Sequence, residues 1–271
     1  MRVPAGGLPR RPLRIALIGW GAIARRFVRL VIERNPAAVE IVAAATRTPS
    51  ALPYPRLASP DDLAGLQADW VVEAAGRDAV VQWGPAALAH TRCLVVASTS
   101  ALTDDALLGR LVGLAEQHGS QLVIPPGALA GIDGLAAASR LGLDSVMHSI
   151  AKPPQAWRGT PAEQHIALDD VHAATTVFTG SAREAARRFP QNANVAVISA
   201  MAGIGLDRTV VSLIADPGLI RNVHRIDAVG EFGTLSMTIE NRPLAANPKS
   251  SEMTALSLVR LVENRIRPLS C

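Results

Sequence analysis

Hydrophobic positions along the chain follow two rhythms, one before about residue 127 and one after it. In the first part, near-continuous apolar runs predict strands at LRIALIG (13–19), VEIVAAAT (39–46), DWVVEAA (69–75), RCLVVAS (92–98) and SQLVIPP (120–126). Helix-like segments lie between them, at 22–34, 60–67, 78–90 and 104–118. Asp104-Asp105 after Thr103 reads as a helix start, and His118-Gly119 as its stop. Strands that are apolar at consecutive positions are buried on both faces. With helices between them, they predict a parallel sheet covered on each side, with right-handed crossovers.

The rhythm then changes. GALAGIDGLAAASRL reads as helical, and VMHSIAKPP as a strand stopped by its two prolines. Residues 153–178 are irregular, and SAREAARRF and NANVAVISAMAG are helix-like. The runs RTVVSLIAD, NVHRIDAVG and GTLSMTIEN follow one another closely, which predicts a mostly antiparallel sheet. A last helix starts near Ser250-Ser251. The expected organisation is a nucleotide-binding domain over 1–127 and an α+β domain over 128–248. The terminal helix, 249–271, is expected to pack back on the first domain.

The first strand ends in Gly19-Trp20-Gly21-Ala22-Ile23-Ala24, and a helix follows. This is the setting of a dinucleotide-binding turn in a doubly wound, Rossmann-type α/β fold. The first glycine allows the turn, and the second lets backbone approach a pyrophosphate. The small Ala24 lets helix and strand touch. Gly19, Gly21, Ala22 and Ile23 are therefore candidate cofactor contacts, with phosphate at the helix N-terminus. The end of the second strand reads Ala45-Thr46-Arg47-Thr48, without the carboxylate that takes ribose hydroxyls. Arg47 is either a partner for the 2′-phosphate of NADP or a solvated loop residue, so NAD and NADP both stay open.

Composition narrows the chemistry. The chain has 271 residues, 49% hydrophobic and 18% charged, which specifies a globular protein with a sizeable core. No apolar run nears the roughly 20 residues of a membrane span. The N-terminal segment lacks the apolar core of a secretory signal, so a cytoplasmic protein is expected. Net charge is +4, with scattered arginines and 3% aromatics, which argues against a nucleic-acid partner and favours small anions. Two cysteines, Cys93 and Cys271, form neither a metal cluster nor a disulfide framework, so no metal is expected. The single tyrosine, Tyr54, is not followed by a Tyr-x-x-x-Lys dyad.

Proton transfer then falls to histidines, carboxylates and two lysines. His90 and His118 end helices, His148 sits in a strand, and His165 and His172 lie in the irregular region. His224 stands in an alternating segment where Asn222, His224 and Ile226 share a face. It is either an acid–base group lining a cleft or a surface strand histidine. Lys152 and Lys249 stand at proline-marked breaks, where an ammonium could hold a carboxylate or brace the backbone. Asn194 either caps a helix or offers its amide to a nicotinamide carboxamide.

Several long motifs, in order, resemble the L-aspartate dehydrogenase family. They are Gly127-Ala128-Leu129-Ala130-Gly131-Ile132-Asp133, Ala151-Lys152-Pro153-Pro154, Phe189-Pro190-Gln191-Asn192-Ala193-Asn194-Val195-Ala196, Ala202-Gly203-Ile204-Gly205-Leu206-Asp207 and Asn247-Pro248-Lys249-Ser250-Ser251. The resemblance runs from about 13 to 265. It implies NAD(P)-dependent oxidation of L-aspartate to iminoaspartate, which serves NAD biosynthesis or hydrolyses to oxaloacetate and ammonia. It also implies a Rossmann domain with an α+β catalytic domain, in a homodimer. The family's active-site histidine falls on His224, and its cofactor contacts in the second half fall on Ala128 and Asn194. Lys152 is the first candidate for a substrate carboxylate. The chain departs from the family at Pro126, often Ser, and at Ser100, often Gly, where extra bulk would crowd the nicotinamide end. Two other readings are a related dehydrogenase of another small anionic acid and a non-catalytic dinucleotide sensor.

Overall fold

A computed structural model describes residues 11–47, 52–190 and 193–270. The first sheet contains β1 (Leu13–Ile18), β2 (Val39–Ala45), β3 (Arg56–Leu57), β4 (Trp70–Glu73), β5 (Cys93–Val96) and β6 (Gln121–Val123). All pairs are parallel, in the order β3-β2-β1-β4-β5-β6. The sheet thus has the five expected strands plus β3, which is too short to show a period.

Consecutive apolar residues in β1 serve two cores. Ala16 and Ile18 face α2 (Arg77–His90) and α3 (Asp105–His118), with Trp83, Leu88 and Leu111. Ile15 and Leu17 face the other side, with Phe27 and Val31 of α1 (Ala22–Arg34). This two-sided burial is why the strand reads as unbroken apolar sequence. Asp104 caps α3 by accepting from the Ala106 and Leu107 N–H groups, and Gly119 ends it at φ +62°. The helix expected over 60–67 is only a single 3₁₀ turn, Pro60–Leu63. Only Leu63 in that turn is buried, and Gln67 reverses the chain at φ +52°, so a longer helix has no face to bury.

The second sheet contains β7 (Leu143–Lys152), β8 (Thr175–Ser181), β9 (Val210–Ala215), β10 (Asn222–Gly230) and β11 (Gly233–Asn241). Its order is β11-β10-β7-β9-β8. Three pairs are antiparallel, and β7 with β9 is parallel. Val146, His148 and Ile150 of β7 and His224, Ile226 and Ala228 of β10 form one buried face. Helices α4 (Ile132–Ala138), α5 (Ala182–Arg188) and α6 (Ala193–Ala202) cover it. On the opposite face Met147 and Val229 are 48% and 44% exposed. The helical reading of 127–141 holds only for 132–138, because Gly127 and Gly131 take left-handed conformations at φ +61° and +68°. The stretch expected to be irregular over 153–178 holds three 3₁₀ turns anchored by Trp157, which is fully buried and donates its Nε1–H to the Ile214 carbonyl at 3.0 Å. From Thr175 it is strand, because β8 pairs with β9.

A short hairpin, β12 (Pro243–Leu244) and β13 (Asn247–Ser251), leads into α7 (Glu252–Ile266). Ala255, Leu258, Val259 and Val262 of α7 join the core around α1. Arg26–Glu252 and Arg34–Glu263 ion pairs, at 2.5 and 2.7 Å, flank that contact. No helix of the described residues is long and apolar enough to cross a membrane.

Candidate active site

The turn after β1 is shaped to let something approach its backbone. Gly19 lies at φ +104°, and a Cβ there would sit 2.8–2.9 Å from Ala75 and the Ala74 carbonyl. Gly21 begins α1 with no side-chain cap, and a Cβ there would meet nothing. No acidic residue stands in the first turn of α1. The leading N–H groups therefore have no side-chain cap, and no carboxylate of the helix's own first turn offsets its dipole. Ala24 is buried against the sheet. A dinucleotide pyrophosphate fits this cradle. Arg47 stands exposed just beyond β2, outside the cleft described below.

The neighbouring loops are held by a residue that sequence reasoning missed. Glu73 ends β4 and is 1% exposed. One carboxylate oxygen accepts from the N–H groups of Ala75 and Gly76 at 2.7 and 2.8 Å and from Ser98 Oγ at 2.8 Å. The other accepts from Ser98 N–H at 3.1 Å. Burial raises the Glu73 carboxyl above its ordinary value, against the opposing pull of these bonds. The effect is to tie the loops after β4 and β5 into one floor. The available signal was a lone carboxylate inside the apolar run VVEAAG.

That floor faces the second domain across a cleft of about 280 Å³. Ile23, Ala75 and Ser98 line one wall, and Ala128, Lys152, Asn194, Asn222 and His224 line the other. Ser250, Ser251 and Thr254, around the start of α7, close one end. The fold thus brings together sequence candidates that lie up to two hundred residues apart. Gly19, Gly21 and Ala22 precede Ile23 in the chain but do not themselves line the cleft, while Lys249 lies in β13 with its side chain outside the described residues.

Each candidate has a specific setting. His224 is 5% exposed on the inner face of β10, so it is not a surface strand histidine. Burial, helped by the Lys152 charge, lowers its imidazole from 6.5 to about 3, which keeps it neutral. Lys152 ends β7 with Nζ 5.3 Å from the Trp157 ring centroid, and burial lowers it from 10.5 to about 8. Asn194 lies within α6, and its side-chain oxygen bonds outside that helix. Its Oδ1 accepts from Ser100 N–H and its carbonyl accepts from Thr99 Oγ1, both at 2.9 Å, which pins α6 to the first domain. That leaves the Nδ2 donors for a ligand. Ser100 is buried under this contact and does not line the cleft, so the crowding expected there does not arise. The Ala128 carbonyl accepts from Asn241 Nδ2 at 2.8 Å, and Asn241 Oδ1 accepts from Ser251 Oγ at 2.9 Å. One asparagine therefore fixes both the Ala128 turn and the start of α7. His90, His118, His165 and His172 are exposed and stand outside the cleft.

Comparison with known proteins agrees with this geometry. Residues 133–265 match the family described as aspartate dehydrogenase, C-terminal, and 19–125 match the homoserine dehydrogenase NAD-binding domain. The chain is 54% identical to the L-aspartate dehydrogenase of Brucella anthropi over 93% of its own length and 96% of that protein's. It is 43% identical to that of Serratia proteamaculans, covering 91% and 95% of the two chains. The crystal structure of aspartate dehydrogenase from Thermotoga maritima superimposes with a TM-score of 0.79 at 25% identity, over 96% of this chain and 99% of that one.

Proposed function

The chain belongs to the L-aspartate dehydrogenase family, and from that premise we propose that it oxidises L-aspartate to iminoaspartate with NAD or NADP. Water then converts the imine to oxaloacetate and ammonia, unless it is captured for NAD biosynthesis. The observation that supports this most is the one cleft that sets a neutral buried imidazole and a lysine together with Ile23, at the head of α1.

The residues act as follows. Gly19, Gly21, Ala22 and Ile23 receive the pyrophosphate at the head of α1, and Arg47 takes the 2′-phosphate when NADP is the cofactor. Ala128 and the Asn194 amide donors orient the nicotinamide end. The bound nicotinamide supplies the acceptor for the α-hydride. Lys152 takes one substrate carboxylate, and Asn222, two residues along β10 from His224, donates to the other. The carboxylates of the incoming substrate offset the Lys152 charge that helps hold the imidazole down, so the basicity of His224 rises when substrate binds. His224 then accepts the proton that the substrate ammonium must lose before the α-hydride departs, and afterwards orients the water that attacks the imine. Loss of hydride from Cα and of a proton from nitrogen leaves the C=N bond, so the electrons balance.

The proposal includes a homodimer and a cytoplasmic setting suited to a soluble substrate and cofactor. The outer face of the second sheet, with Met147, Val210 and Val229 exposed, is the surface we assign to the dimer. NAD(P)H formation with L-aspartate, for wild type and His224→Ala, tests the reading. Turnover lost in the variant with dinucleotide affinity kept is the expected result. No wild-type turnover with either cofactor, despite binding, would overturn it.

A further inference from the structure

His148 is fully buried, makes no contact with the cleft and has no role in the mechanism above. It lies one row deeper than His224. Ile226 is opposite His148 across the β7–β10 pair, and Ile150 is opposite His224. The two imidazoles are thus diagonal neighbours on the buried face. Their ring centroids are 5.6 Å apart, with planes tilted by 54°. One nitrogen on each ring, Nε2 of His148 and Nδ1 of His224, is buried without a hydrogen-bond partner. Leaving such an atom unpaired in the interior carries the full desolvation penalty. Two imidazoles joined by an N–H···N bond of about 2.9 Å have centroids roughly 5 Å apart, so this pair stands close to bonding distance.

Ser199 on α6 decides which ring gives the proton. Its oxygen lies 3.1 Å from the Ala196 carbonyl, which can only accept, and 2.8 Å from His148 Nδ1, which can donate or accept. Assigning the one hydroxyl hydrogen to the carbonyl satisfies both contacts, and it then puts the His148 proton on Nδ1. Burial keeps His148 neutral, so its Nε2 is a bare lone pair. A lone pair on His224 Nδ1 would face that one in a low-dielectric interior, which disfavours it.

We propose that His148 Nε2 accepts a hydrogen bond from His224 Nδ1–H, and so holds His224 in the tautomer whose Nε2 is free to take a proton. Ser199, His148 and His224 form a buried chain running from α6 to the cleft. His148 is a positioning residue: it touches no reacting atom, but it fixes which nitrogen of His224 is basic. This rests on the reading of His224 as the proton acceptor.

The test is ¹⁵N NMR of histidine-labelled protein, with His224 assigned from its loss in His224→Ala. Wild-type His224 is expected as the Nδ1–H tautomer. In His148→Leu, which removes the acceptor but keeps an apolar side chain, the tautomers should mix. Turnover should then fall about tenfold or more, with dinucleotide affinity kept. His148→Gln places an oxygen where Nε2 was and should restore both signals. A wild-type His224 protonated on Nε2 overturns the proposal even if no His148 variant folds. So does a His148→Leu enzyme with unchanged tautomer and turnover. If His224→Ala itself retains full turnover, it is the assignment of His224 as acid–base group that fails, whatever the tautomer.

Discussion

Replacing Lys152 with Met takes a charge out of the cleft while keeping most of the side-chain volume. Burial holds this ammonium at about 8 against an ordinary 10.5. At ~1.4 kcal/mol per pH unit, keeping the folded side chain charged costs about 3 kcal/mol. The unfolded chain keeps its proton up to about 10.5, while the folded chain gives it up near 8. Wild-type stability therefore rises with pH across that window, and the full cost is present below it. The ammonium lies 5.3 Å from the Trp157 ring centroid, a contact that returns roughly 1 kcal/mol and that Met only partly replaces. Lys152→Met is therefore expected to be about 1–3 kcal/mol more stable than wild type at neutral pH, and equal to it above about pH 10.5. Substrate binding should move the other way. Losing a charged hydrogen bond to a carboxylate costs about 1.5–3 kcal/mol, a rise of roughly 10- to 100-fold in KM for L-aspartate. Urea unfolding of the ligand-free protein at neutral and alkaline pH, beside steady-state kinetics, measures both. A variant no more stable than wild type at neutral pH, or one with unchanged KM, would refute the assignment of Lys152 as a desolvated cation that binds a substrate carboxylate.

Other outcomes follow from the same geometry. Gly19→Ala forces a Cβ to within 2.9 Å of the Ala74 carbonyl at φ +104°, so NADH affinity, read by fluorescence quenching, should fall at least about tenfold. Arg47→Ala should weaken NADP by about tenfold or more while leaving NAD nearly unchanged, and equal losses would show that Arg47 meets no 2′-phosphate. Asn194→Ala leaves the Ser100 N–H without its partner, so unfolding experiments should show a loss of about 1–3 kcal/mol, with weaker dinucleotide binding. Lowered folded values for His148 and His224 make stability fully present above about pH 6.5 and progressively lost as pH falls, for His224 down to about 3, because the unfolded imidazoles protonate first. The melting temperature of His148→Gln should therefore fall less steeply than that of wild type over that range.

The sequence by itself determined the elements whose reason is local. β1, β2, β4 and β5 had to be buried on both faces because their apolar residues are consecutive. The turn at Gly19 and Gly21 was legible because only glycine relieves the clash with Ala74 and Ala75 or leaves the head of α1 open. The motifs around Ala128, Lys152, Asn194 and Lys249 carried the family resemblance before any contact was known. What those residues do to one another was decided by tertiary structure. Asn194 read as a helix cap or a ligand donor, yet its oxygen clamps two domains together. Glu73 looked like an interruption in an apolar strand, and only the return of the loops after β4 and β5 gave its carboxylate four donors. Burial is the physical reason in each case. Desolvation of Lys152, His148 and His224, and the pairing of groups far apart in the chain, arise only when two sheets and α7 close on one cleft, and no local pattern records distances across that cleft.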